Sequence, residues 1–69
     1  MKISARNQLP GKVVEVVKGA TTAHVRIDVG GGRIVTASIT NEAVDELGLK
    51  AGVNATAVIK ASDVLVAVE

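Results

Sequence analysis

Thr22-Ala23-His24-Val25-Arg26-Ile27-Asp28-Val29 runs into Gly30-Gly31-Gly32 and then into Arg33-Ile34-Val35-Thr36-Ala37-Ser38-Ile39-Thr40. In the first octet Ala23, Val25, Ile27 and Val29 alternate with Thr22, His24, Arg26 and Asp28. A period of two marks a strand with one dry face and one wet face. Each of the three glycines can take positive φ, as a tight connection requires. Beyond them Val35, Ala37 and Ile39 alternate with Ile34, Thr36, Ser38 and Thr40. Two such strands joined by glycines predict a β-hairpin.

Upstream, Gly11 and Gly19 bracket the pairs Val13-Val14 and Val16-Val17. Paired valines point to both sides of a strand, so this segment is expected to be covered on both faces. Downstream, Asn41 to Gly48 reads as a short helix. Thr40 or Asn41 can cap it, acids fill its first turns, and Gly48 stands where a terminating glycine belongs. Val44 and Leu47 are expected to face inward. Lys50 to Val53 is a turn, and Asn54–Lys60 and Val64–Val68 are two further β segments around Ala61-Ser62-Asp63. The order predicts an all-β fold: a small five-stranded OB-type barrel with one short helix between strands three and four. An SH3-like barrel is the alternative, disfavoured by the helix after the third strand. The whole chain, residues 1–69, reads as one domain.

Composition narrows the function. The 69 residues are 48% hydrophobic and 22% charged, with neither cysteine nor aromatic residues. Disorder, a disulfide framework and a thiolate metal site are excluded. There is no aromatic platform for stacking bases. Eight basic and seven acidic residues leave a net charge of +1, without the basic excess of a general nucleic-acid binder. No apolar run is long enough to span a membrane, and MKISARNQLP lacks the apolar stretch of a secretory signal, so a cytoplasmic location is expected. A core of mostly Val and Ala in so short a chain is marginal alone, and a homo-oligomer is the expected remedy.

The acids are scattered over predicted wet faces, helix and terminus, His24 stands alone, and Ser4, Ser38 and Ser62 have no evident base. No enzyme is expected. The three glycines join two strands and do not open a helix, so they are not a phosphate loop. Ser4-Ala5-Arg6-Asn7-Gln8-Leu9 is different. It gathers a hydroxyl, a guanidinium and two amides just before a buried strand. Read from pattern alone it is either a polar arm or a donor-rich anion site, since Arg offers a planar fork of donors to an oxyanion.

Ser4 to Leu9 resembles the signature of the molbindins, small molybdate-binding proteins of the Mop type. The resemblance continues through Gly11-Lys12-Val13-Val14, the glycine hairpin, Ile39 to Val44, Leu47-Gly48-Leu49 and Thr56 to Val64, and so covers essentially the whole chain. It implies an OB-like domain that binds molybdate, or alternatively tungstate, between subunits of a hexamer built as a trimer of dimers. Carried over by position, the oxyanion-binding residues are Ser4, Ala5 and Arg6, Thr40 and Ala43, and Lys60 and Ala61. Where relatives often have Ser, this chain has Ala43, which can offer only its backbone N–H. Arg6 and Lys60 match the charge of a tetrahedral dianion. Thr40 and Ala43 fall at a helix start, where free N–H groups favour anions. No metal ligand is needed, because molybdenum stays inside its oxygen shell. The implied function is intracellular storage and buffering of molybdate, without nucleic acid or membrane as partner. Competing readings are a nucleic-acid-binding OB module, a purely structural assembly domain, and a sensor or transporter domain; the chain's length disfavours the last.

Overall fold

The computed structural model describes residues 1–69. Four strands, one helix and one turn of 3-10 helix follow in order: β1 (Asn7–Lys18), β2 (Thr22–Gly30), β3 (Arg33–Thr40), α1 (Asn41–Leu47), β4 (Asn54–Ile59) and the 3-10 turn Ala61–Asp63. They form one antiparallel sheet in the order β3-β2-β1-β4.

β1 is the spine. Its first half pairs with β4, from Asn7↔Ile59 to Lys12↔Asn54, and its second half with β2, from Lys12↔Asp28 to Lys18↔Ala23. Sharing one strand between two partners curls the sheet into a half-barrel. A bulge between Val13 and Glu15 adds local bend and twist. At the crossover the backbones approach so closely that a Cβ on Gly11 would meet the Asp28 carbonyl oxygen.

The hairpin forms as its alternation predicts. Ala23, Val25 and Ile27 are buried, and Val25 pairs with Ala37 across the turn. Gly30, Gly31 and Gly32 all take positive φ, and the tip projects into open space. Val13, Val44 and Ala57 complete a core of six small residues, flanked by half-buried Leu9, Val35, Ile39 and Leu49. Thr40 caps α1 and Gly48 ends it at φ 64°, donating its N–H to the carbonyls of Asp45 and Val44.

Four expectations are corrected. The barrel has four strands, not five: Val64–Val68 joins no sheet, and Leu65, Val66 and Val68 are 93%, 88% and 92% exposed. After Ile59 the turn at Ala61–Asp63 intervenes, and no element of the chain covers the segment that follows. β1 begins at Asn7 rather than Gly11. Pro10 is accommodated because that half of β1 has β4 as its only neighbour, leaving one edge free. Both faces of β1 are not covered: Val13 is buried and Val16 half-buried, but the bulge shifts the alternation and leaves Val14 and Val17 exposed. Leu47 does not face inward; it is 67% exposed, and α1 buries only Val44.

Candidate functional site

The register of β1 against β4 builds the site. Asn7↔Ile59 is the outermost pair, so the residues before Asn7 and after Ile59 emerge side by side. The Asn7 side chain reinforces this pair, its Nδ2 donating to the Ile59 carbonyl at 3.2 Å. Gln8 Nε2 donates to the Ala5 carbonyl at 2.7 Å, and Arg6 Nε to the Ser4 carbonyl at 2.9 Å, so the arm is folded by its own polar side chains. Ser4, Ala5, Arg6, Val58, Lys60, Ala61 and Ser62 line one open concavity as a result.

This concavity offers donors and no carboxylate. The chain's two ion pairs are Lys18–Asp45 at 2.6 Å and Arg26–Glu15 at 3.9 Å, and neither uses Arg6 or Lys60. With Nε held by Ser4, the guanidinium keeps its terminal N–H groups for an external acceptor. The backbone N–H groups of Ala61 and Ser62 meet no acceptor within the chain. Two free cations, two hydroxyls and two free amides form a surface matched to an oxyanion that carries no proton.

Five of the seven expected residues therefore meet: Ser4, Ala5, Arg6, Lys60 and Ala61. Thr40 and Ala43 do not line this concavity. They lie at the junction of β3 and α1, where Thr40 Oγ1 accepts the Ala43 N–H at 3.1 Å. The expectation that Ala43 offers a free N–H is corrected, because the helix cap has taken that donor. The Thr40 hydroxyl, accepting through oxygen, still has its own hydrogen to donate. Ser62 and Val58 were not foreseen as lining residues. Ser62 lies two residues after Lys60, beside the outermost β1–β4 pair, and that proximity in the chain is the signal that points to it.

No three of the His, Asp and Glu side chains converge on a metal-sized space. No helix is long and apolar enough to cross a membrane.

Residues 3–66 match the model of the TOBE domain. The chain is 52% identical to the "Probable molybdenum-pterin-binding protein" of Haemophilus influenzae, covering both chains in full. It is similar in structure to MopII from Clostridium pasteurianum, with TM-score 0.91, 48% identity, and coverage of 97% of this chain and 100% of that one. It is also similar to ModG, described as a cytoplasmic molybdate-binding protein and solved with molybdate bound. There the TM-score is 0.90 at 49% identity, covering 94% of this chain and 46% of that one.

Proposed function

This chain belongs to the TOBE domain family, alongside the small molybdenum-pterin-binding proteins, and from that premise we propose that it binds molybdate or tungstate as a storage and buffering protein of the cytoplasm. The observation that carries the reading is the concavity lined by Ser4, Arg6, Lys60 and Ser62, with unpaired cations and no carboxylate. A buried or half-buried dianion demands paired charge and full hydrogen bonding, and this lining supplies both. The chemistry is binding, not catalysis.

The concavity is open, and in one chain Thr40 lies outside it. The site is completed between copies. The half-barrel leaves the edges of β3 and β4 unpaired, and Val35, Ala37 and Ile39 of β3 face Ala55, Ala57 and Ile59 of β4 across an apolar groove. The exposed apolar segment Val64–Val68 is one strand long and starts at the site. Docked in the groove of a second copy, it would close the barrel and hide both edges. Reciprocal docking makes a dimer, and three dimers make the expected hexamer. The Thr40 hydroxyl is then supplied by a neighbouring copy.

Selectivity follows from size and protonation. Sulfate is smaller than molybdate and would leave long hydrogen bonds in a ring of donors fitted to the larger ion. Phosphate near neutral pH carries a proton, and the lining has no carboxylate to accept it.

The test is elemental analysis of protein purified from molybdate-supplied cells, with oligomer mass and pterin fluorescence measured on the same sample. Molybdenum without pterin, on a hexamer, is the expected result. Competition calorimetry then ranks the anions. Equal affinity for sulfate and molybdate, or a stable metal-free monomer, would overturn the reading.

A further inference from the structure

The β3–α1 junction holds the chain's one buried side-chain atom without a hydrogen-bond partner, Asn41 Oδ1. Everything else about Asn41 is engaged. Its backbone N–H donates to the Thr21 carbonyl at 2.9 Å, and its Nδ2 to the Gly19 carbonyl at 3.0 Å. Both donors grip the same turn, Gly19 to Thr22, which joins β1 to β2. Thr22 in turn pairs with Thr40 at the end of β3. Leaving an acceptor buried and unpaired costs stability, and Ser at this position, with no amide oxygen, would avoid that cost. What Asn supplies and Ser does not is a neutral side-chain donor long enough to reach Gly19.

We infer that Asn41 is a positioning residue for the oxyanion site: it clamps the β1–β2 turn to the β3–α1 junction and so fixes the Thr40 hydroxyl. The inference rests on the proposed function, in which Thr40 contributes a donor to the anion. Thr40 Oγ1 already accepts from Ala43 N–H, and that bond narrows the directions in which the hydroxyl hydrogen can point. The direction holds only while residues 40 to 43 are held against the sheet. Asn41, with one bond from its backbone and one from its side chain, ties them there.

The test is a double-mutant cycle on the assembled protein, titrating sodium molybdate by calorimetry. Thr40→Val removes the hydroxyl but keeps the branched shape, and should weaken binding roughly tenfold or more. Asn41→Ser keeps a helix-starting residue that cannot reach Gly19, and should weaken binding by about two- to tenfold with Thr40 present. In the Thr40→Val background it should weaken binding no further. Equal losses in both backgrounds, or no loss from Asn41→Ser alone, overturn the positioning role and leave the site reading intact. Failure of the parent to bind molybdate overturns both. A second measurement needs no ligand and only one folded variant: hydrogen exchange at the Ala43 amide. Asn41→Ser should speed it while leaving Val25 in the core unchanged. Unchanged exchange at Ala43 would also overturn the inference.

Discussion

The two halves of β1 lead to regions built on different terms. Beyond Lys12 the spine meets the glycine hairpin and α1, and there the chain buries most of its core, with Asn41 Oδ1 the one buried polar side-chain atom left unpaired. Val13, Ala23, Val25 and Val44 are almost wholly inaccessible, and Thr40 and Gly48 cap both ends of the helix. Before Lys12 the spine meets β4, and the residues beyond that pairing are unfinished. Arg6 and Lys60 have no counter-charge, Ala61 and Ser62 have free N–H groups, and residues 61–69 are all exposed. One region is a closed local core, while the other is a set of unmet demands, apolar and polar together, that a second copy and an anion can meet. Most of the core thus lies at one end of the strand and the unpaired cations at the other.

The sharpest way to break this contrast is to remove the C-terminal segment. Deleting residues 64–69 takes away Leu65, Val66 and Val68, whose burial is worth about 1.5–3 kcal/mol each. Assembly at micromolar concentration should be lost, as read by sedimentation equilibrium. A truncated chain that still forms hexamers would show that the segment is not what closes the barrel.

Gly11→Ala attacks the place where the two regions meet. Its Cβ would stand 2.2 Å from the Asp28 carbonyl oxygen, and backbone on both sides must move. Overpacking of this kind costs about 1–3 kcal/mol or more, which in a domain this small lowers the melting temperature by roughly 4–8 °C per kcal/mol. Thermal denaturation followed by circular dichroism measures it. An unchanged melt would mean that the crossover of β1 is looser than the close approach implies.

Arg6→Ala tests the open region without touching the closed one. Removing one of two charges and its charge-assisted hydrogen bonds should weaken molybdate binding by about 1.5–3 kcal/mol, roughly ten- to a hundredfold or more. The anion-free oligomer should persist, relieved of repulsion between Arg6 and Lys60. A variant that binds like the parent, or fails to assemble, would deny Arg6 its role.

Asn7→Ala gives the smallest effect and draws the boundary most finely. Asn7 shares the motif with Arg6 but spends its amide on the Ile59 carbonyl. Its loss should lower stability by about 0.5–1.5 kcal/mol and affect binding less than Arg6→Ala does. Paired melts and titrations on both variants decide this; a larger binding loss for Asn7 would move the boundary into β1.

What the chain's local patterns reveal tracks this division. The hairpin, the helix and its caps were legible because alternation, a run of glycines and Thr40 with Gly48 are local signals that tertiary packing did not override. Pro10 obscured the start of β1, since Pro reads as a strand breaker until the free edge beside it is known. Val64–Val68 reads as a fifth strand because it is five apolar residues in a row, but such a run does not say whose sheet it completes, and within this chain it joins none. Of the site, Arg6 and Lys60 were legible through resemblance and charge arithmetic. The arrival of Ser62 beside Arg6 was not, because it depends on the register of β1 against β4, and the choice of Thr40 over Asn41 as the cap that takes the Ala43 N–H depends on how the junction is held.

The hairpin tip has a practical consequence. A side-chain carbon added at Gly30, Gly31 or Gly32 would meet nothing within 4 Å, and the three lie away from the concavity that holds Arg6 and Lys60. A chain without tryptophan, tyrosine or phenylalanine has no intrinsic fluorescence, and the tip is where a reporter can be grafted. Lengthening a flexible loop costs only about 0.6 kcal/mol per doubling. A short tag bearing one tryptophan or one dye-labelled cysteine, inserted between Gly31 and Gly32 because Gly30 lines the apolar groove, would make assembly visible by fluorescence.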